Sequence, residues 1–421
     1  MSVYSIVMRE PGTDRLLPLA VGDVLEVTIG QVAHGGHFIA HAHGRTLFVR
    51  HAITGETARV KITEVRAKMV RADAIEILVP SPDRVNAPCV FAGPGLCGGC
   101  DFQHIALTRQ RELKQQVVQD AFRRHAGLAD IEIPVVPVAG DNDGLEWRTR
   151  VRWGVDRSGK AGFHIFRSSE ILPVTKCVIA TQGQNAVLED TYGGAQEVRS
   201  AEGSDGTVSI WVSGSGATGS RSTGERRVIQ EVLGRRWQVD PASFWQGHVG
   251  APGALVQAVL DLGRPISGET WWDLYSGVGL FSGYLSAAVG PTGKVVAVEG
   301  SARSVRDARR NLHRERNIEL VEREMGNWLG APSEPGAVSG IVLDPPRTGA
   351  GPLVAAQIAA QKPRVVVYVA CDPVALARDV AIFANFGYRL GPALAFDNFP
   401  MTHHVEVVAT LVPIKGLDPI S

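Results

Sequence analysis

A thiol at the end of an apolar run is the first group in this chain with chemical promise. Val365-Val366-Val367-Tyr368-Val369-Ala370 leads straight into Cys371-Asp372-Pro373. The β-branched run reads as a buried strand, and Asp-Pro stops it. Cys371 therefore stands at the carboxyl end of a strand, the edge where open α/β sheets bind ligands. Leu343-Asp344-Pro345-Pro346-Arg347 ends a second strand in a rigid polar turn. His403-His404-Val405-Glu406 supplies a further carboxylate. A nucleophile, a turn-held carboxylate and a second carboxylate in one region point to covalent catalysis.

A cofactor site is readable upstream. Asp273-Leu274-Tyr275-Ser276-Gly277-Val278-Gly279-Leu280-Phe281 follows a strand and opens a helix. Gly277 and Gly279 let the backbone turn tightly and approach a ligand. Glu299 ends the next strand, where a carboxylate can accept from both hydroxyls of a ribose. The pattern is not G-x-G-x-x-G, which disfavours a dinucleotide. An acid ahead of G-x-G suits a cofactor with a cationic amino-acid end, S-adenosylmethionine.

Five cysteines are present: Cys89, Cys97, Cys100, Cys177 and Cys371. The first three form C-x7-C-x2-C in a glycine-rich loop, and Cys177 follows Lys176 much later. Four soft ligands, three of them local, fit zinc or a [4Fe–4S] cluster, and spacing alone does not choose. Cys371 stands apart from this group.

The elements that must carry these groups fall into three stretches. With 421 residues and 44% hydrophobic content, two or three globular domains are expected. Residues 1–80 show about five short alternating strands, including a His37–His41/Arg45–Val49 hairpin, which suggest a small OB-like barrel. Residues 81–237 hold a proline-rich linker, the cysteine loop, a helix over 107–126 and a β-rich stretch. That helix has apolar Leu113, Val117, Ala121 and Phe122 at helical spacing and a basic outer face. Arg148, Arg150 and Arg152 alternate along a strand, so their guanidiniums could grip phosphates from one face. Ser213–Gly224 reads as a loop. Residues 238–421 alternate strands with helices, including a helix over 301–316, as a doubly wound α/β domain does.

Formal net charge is zero, so any nucleic-acid contact must come from local basic patches. No run of about 18 apolar residues marks a membrane span. The first residues lack a basic-then-apolar pattern, so no signal peptide is expected and the location is cytoplasmic.

Several motifs together resemble those of the S-adenosylmethionine-dependent RNA uracil-5-methyltransferases, over nearly the full chain. They are Asp344-Pro345-Pro346-Arg347-Thr348-Gly349, Tyr368-Val369-Ala370-Cys371, Asp397-Asn398-Phe399-Pro400-Met401-Thr402-His403-His404-Val405-Glu406, and Phe244-Trp245-Gln246. The resemblance implies a TRAM domain at the N-terminus, a β-rich central iron–sulfur domain and a Rossmann-like methyltransferase domain. It makes Cys89, Cys97, Cys100 and Cys177 ligands of a [4Fe–4S] cluster. Cys371 becomes the thiolate that adds to carbon 6 of uracil, and Glu406 the base that removes the proton from carbon 5. Gln246, Tyr275, Gly277, Gly279, Glu299, Asn327 and Asp344 fall on the cofactor side. The implied partner is RNA, with 23S ribosomal RNA favoured over transfer RNA, and the implied state is a monomer. Departures from the family pattern are Ala370 and Asp372 around the nucleophile, Ala375, Met401, Asn327 and the long first cysteine spacing. The weighed alternatives are a transfer-RNA enzyme, a 5-methylcytosine transferase, and a catalytically silent, cluster-bearing RNA-binding protein.

Overall fold

The computed structural model describes residues 19–214, 221–223, 227–330 and 338–414. It divides into two compact units, Met1–Arg84 and Val85–Ser421. In the first unit six strands form one sheet, in the order 24–28, 57–66, 69–79, 45–50, 37–42, 32–33. The anticipated hairpin forms, with Phe38 opposite Val49 and Ile39 opposite Phe48. The sixth strand, Val32–Ala33, is too short to carry a sequence signal. Alternation buries Phe38, Leu47, Val49, Val60, Ile62 and Val70 on one side.

The second unit holds a six-stranded antiparallel sheet, a two-stranded hairpin (Val228–Val232 with Arg235–Val239) and an eight-stranded mixed sheet. Of the segment expected as a loop, Arg221–Thr223 pairs with Ile210–Val212 as an edge strand. Residues 215–220 and 224 lie outside the described residues.

The mixed sheet runs 318–322, 294–299, 270–274, 340–343, 365–370, 406–413, 388–397, 135–137. The first five strands are parallel to one another, and Glu406–Pro413 enters antiparallel beside Val365–Ala370. Strand order reverses at Thr270–Leu274, whose two neighbours come from Lys294–Glu299 and Gly340–Leu343. A crevice at that switch point is the expected ligand site. Val135–Pro137, three residues from far upstream, closes the opposite edge.

Side chains alternate between two cores. Trp272, Leu274, Leu343, Tyr368, Ala370 and Val407 face one, together with Val118, Phe122, Leu376 and Phe383 from covering helices. Trp271, Val342, Val367, Val369 and Val408 face the other, with Leu255, Val259 and Leu285. The helix Leu107–His125 buries Val118 where the periodicity had pointed to Val117, and it buries Gln110 and Lys114 as well. The helix expected over 301–316 ends at Asn311, because Leu312 turns inward and packs beneath Gly279.

Candidate active site

Alternation decides which strand-end groups meet. Val342, Val369 and Val408 share one face, so Asp344, Cys371 and Glu406, each two residues away, emerge on that same face. Ala370 lies opposite Val407 in the antiparallel pairing, which brings Cys371 opposite Glu406. Glu406 is also the register partner of Phe396. Cys371 and Asp344 are partly exposed, whereas Glu406 is buried. A ligand can therefore touch the thiol, with the Glu406 carboxyl buried beside it.

The electrostatics follow from this crowding. Burial pushes the Cys371 thiol up to about 11; Glu406 and Asp344 push the same way, and the Arg347 guanidinium opposes them. Burial and Asp344 raise Glu406 well above an ordinary carboxyl, again against Arg347. Burial and Asp273 lift Asp344 to about 7. Asp273 is lifted to about 7 by burial, held back by the Ser282 hydroxyl and pushed further by Glu299. A site with this many buried acids favours a cation, the charge carried by a methyl sulfonium. Cys371 also precedes the helix Pro373–Ala384, whose end favours thiolate. Asp372 caps that helix, accepting from the Val374 and Ala375 amides at 2.9 Å each. An asparagine at this position would cap equally well, so the departure at Asp372 is structurally neutral.

The glycine turn is built for a ligand. Glu299 accepts from Gly277 N–H at 2.9 Å and from Ser301 N–H at 2.6 Å. Each oxygen keeps further lone pairs. Gly277 has φ of 56°, and a Cβ there would meet no protein atom within 4 Å. Gly279 is different: its φ is 88° and a Cβ would lie 2.5 Å from Leu312 Cδ1. The first glycine leaves room outside; the second lets the helix dock. Tyr275, at φ of 64°, stands between them and the strand. Its hydroxyl is raised by burial, then by Glu324 and Asp379. Gln246 is buried beside Trp245, in the loop ahead of the helix Ala251–Gly263. Asn327 is exposed on the short helix Met325–Leu329. Of the two carboxylates that act on Tyr275, Glu324 stands at the start of that helix, and the sequence motifs did not point to it.

Tyr368 turns out to serve the backbone. Its hydroxyl donates to Asp379 Oδ2 at 2.6 Å and accepts from Ala350 N–H at 3.0 Å. Asp379 also accepts from Ala350 N–H at 2.7 Å and Gly351 N–H at 3.2 Å. Together they fasten the turn that follows Asp344. Tyr368 faces the opposite core from Cys371, as alternation requires.

Cys89, Cys97, Cys100 and Cys177 line a single cavity. None of the four is in a disulfide. Burial pushes Cys97, Cys100 and Cys177 up, while Arg148 pulls each of them down. No group of three or more His, Cys, Asp or Glu side chains among the described residues is arranged to hold a single metal ion. Arg148 Nε donates to Arg150 O, Arg150 donates to the Pro241 and Ser243 carbonyls, and Arg152 pairs with Glu197. Each of the three guanidiniums thus has an internal partner, while the Arg152 side chain stays largely exposed. On the helix Leu107–His125 the basic face is partly internal. Lys114 is buried against Asp397, Arg111 also reaches Asp397, and Arg123 and Arg124 pair with Asp120.

Residues 18–75 match the TRAM domain family, and residues 334–413 match the tRNA (uracil-5-)-methyltransferase family. A Streptomyces avermitilis protein named as an RNA methyltransferase is 41% identical over 94% of this chain and 100% of its own length. The 23S rRNA (uracil(1939)-C(5))-methyltransferase of Chromohalobacter salexigens is 31% identical over 96% of this chain and 92% of its own. The chain belongs to the RNA uracil-5-methyltransferase family. It is an S-adenosylmethionine-dependent RNA methyltransferase with an N-terminal TRAM domain. The crystal structure of the Pyrococcus abyssi tRNA (uracil-54, C5)-methyltransferase with S-adenosyl-L-homocysteine shares the enzyme's fold. Its TM-score is 0.71 at 23% identity, covering 92% of this chain and 99% of that one. No helix among the described residues is long and apolar enough to cross a membrane.

Proposed function

We propose that this enzyme methylates carbon 5 of a uridine in 23S ribosomal RNA through a covalent Cys371–uracil adduct. The observation that carries this reading is the placement of Cys371 opposite Glu406 at the binding edge of the sheet. Cys371 Sγ adds to carbon 6, and the ring electrons move towards carbon 5 and the carbonyl-4 oxygen. S-adenosylmethionine supplies the methyl group that carbon 5 then takes. Glu406 accepts the carbon-5 proton, the carbon 5–carbon 6 double bond returns, and the sulfur leaves. Arg347, close enough to act on both Cys371 and Glu406, steadies the charged forms of each. Gln246, Tyr275, Gly277, Gly279, Glu299 and Asp344 form the cofactor side, with Asn327 at its rim. The target base leaves its stack to reach the thiol.

Cys89, Cys97 and Cys100 of the loop, together with Cys177, are proposed to hold a [4Fe–4S] cluster. They surround one cavity, and the Arg148 guanidinium acts against the burial of Cys97, Cys100 and Cys177 by favouring their thiolates. In this reading residues 81–237 form a cluster-bearing central domain between the TRAM barrel (1–80) and the methyltransferase domain (238–421). The enzyme is proposed to act as a monomer in the cytoplasm. The ribosomal relative at 31% identity supports the choice of substrate. The test is mass-spectrometric nucleoside mapping of ribosomal and transfer RNA with and without the gene. Loss of 5-methyluridine at one site of 23S rRNA is expected; loss from transfer RNA instead would keep the chemistry and reassign the substrate.

A further inference from the structure

The segment that delivers Glu406 does not hold its own shape. Met401, five residues earlier, has φ of 66°. Residues with a side chain avoid that region unless their surroundings impose it. Here both sides of the Met401 backbone are held. Its N–H donates to Gln110 Oε1 at 2.9 Å, and its carbonyl accepts from Phe102 N–H at 3.0 Å. Gln110 is fully buried and donates in turn to the Phe102 and Ile105 carbonyls, at 3.1 and 2.9 Å. One amide side chain therefore joins the turn after Cys100 to the turn before Glu406. Lys114 Nζ adds contacts to Asp397 Oδ1 at 2.5 Å and to the Phe399 carbonyl at 2.9 Å. Asp101 Oδ2 lies 2.5 Å from His403 Nδ1. All these partners lie between residues 101 and 114, directly beyond the C-x2-C pair.

We infer that Gln110 and Lys114, helped by Asp101, are positioning residues for Glu406, so that the segment directly after the cysteine loop governs the elimination half of the reaction. The inference rests on the proposed roles of Cys371 and Glu406. Glu406 is the first residue of its strand, so ladder bonds fix it on one side only. The other side is the braced turn. Cys371 has separate support from its strand and from the helix capped by Asp372. The glycine turn and Glu299 lie on other strands again. Loosening the brace therefore leaves addition and methyl transfer standing and slows proton removal, after which sulfur cannot depart.

The decisive variant is Gln110→Leu, compared with Gln110→Glu, which keeps the acceptor for Met401. Each is given S-adenosylmethionine and a large-subunit ribosomal RNA transcript. Cofactor affinity, single-turnover methyl transfer, steady-state turnover and adduct on denaturing gels are read together. Gln110→Leu is expected to keep cofactor affinity within about twofold, to accumulate methylated adduct, and to lose about tenfold or more in turnover. Gln110→Glu is expected to recover part of that loss. Wild-type turnover in Gln110→Leu, or a loss that arises at cofactor binding or adduct formation, overturns the brace. If melting shows that Gln110→Leu does not fold, Asp101→Ala is measured by the same criteria. A Glu406→Gln control that yields no adduct overturns the base assignment, and the inference with it. An adduct in that control, alongside normal turnover in the brace variants, overturns the brace alone.

Discussion

Cys371 and Glu406 face each other across adjacent antiparallel strands, one position beyond the Ala370–Val407 pair. On the proposed mechanism the thiol adds to carbon 6 and the carboxylate reaches carbon 5, which calls for groups on adjacent strands. Neighbouring ring atoms are served by neighbouring strands. The arrangement also explains why burial of the base costs nothing in access. On the proposed mechanism uracil approaches the partly exposed thiol and turns carbon 5 towards Glu406.

Cys371→Ala is expected to abolish turnover while leaving S-adenosylmethionine affinity within about twofold, because the cofactor turn lies on other strands. Glu406→Gln is expected to lower turnover by about 10²–10⁴-fold and to leave RNA covalently bound. Isothermal titration and denaturing gels read the two. Loss of cofactor binding in the alanine variant, or absence of adduct in the glutamine variant, contradicts the assigned roles.

The two glycines of the cofactor turn should separate cleanly. Gly277→Ala meets no protein atom, so its cost is the φ of 56°, about 1–2 kcal/mol, plus encroachment on the ligand. Gly279→Ala drives a methyl group into Leu312 and should cost about 1–3 kcal/mol by overpacking, in addition to its own φ strain. Gly277→Ala is thus expected to lose mainly cofactor affinity, and Gly279→Ala mainly melting temperature. Glu299→Ala removes two charge-assisted bonds to the turn and should weaken cofactor binding by about tenfold or more. Equal losses of affinity and stability in both glycine variants would refute the division.

How much of this was legible beforehand differs by residue. Cys371, Asp344 and Glu299 were readable because apolar strands ended abruptly in polar groups, and a strand end in an α/β sheet has a known position. The direction of Tyr368 was readable too, since it lies three residues from Cys371 and so points to the other face. Gln110 and Lys114 were not. Their partners lie almost three hundred residues away, and Lys114 looks like any solvated helix base until Asp397 is found buried beside it. The early end of the helix at Asn311 was hidden for the same reason, because Leu312 answers to Gly279. Val135–Pro137 joins the last sheet on the strength of a distant edge, and three residues carry no period.

Tyr368→Phe should act on stability. It removes the hydroxyl bonded to Asp379 and Ala350 without opening a cavity. A net loss of about 1–2 kcal/mol is expected, seen as a lower melting temperature. Methyl transfer by the folded variant should fall only as far as the Asp344 turn loosens. An unchanged melting temperature with a collapsed rate would instead make Tyr368 part of the chemistry.

The buried acids predict an unusual pH response. Asp273 and Asp344 are each lifted from an ordinary 3.8 to about 7 by burial, Asp273 and Glu299 adding to it. Between these values the folded protein holds protons that the unfolded chain has released. Stability without cofactor should therefore fall as pH rises from about 4 to 7, by a slope on the order of 1 kcal/mol per pH unit. The sign is opposite to that of a salt-bridged acid, whose folded value lies below the unfolded one and which gains its stability as pH rises towards about 4. Affinity for the cationic cofactor should move the other way, rising as the two carboxyls ionise, while S-adenosylhomocysteine, which lacks the sulfonium charge, should respond less. Asp273→Asn keeps an acceptor for the Ser282 hydroxyl but removes one of the titrations, so it should flatten both profiles. Chemical denaturation and calorimetric titration at pH 5, 6, 7 and 8 measure them. Stability that climbs over this range, or equal pH dependence for the two ligands, would mean that these carboxyls do not titrate as buried acids facing a cation.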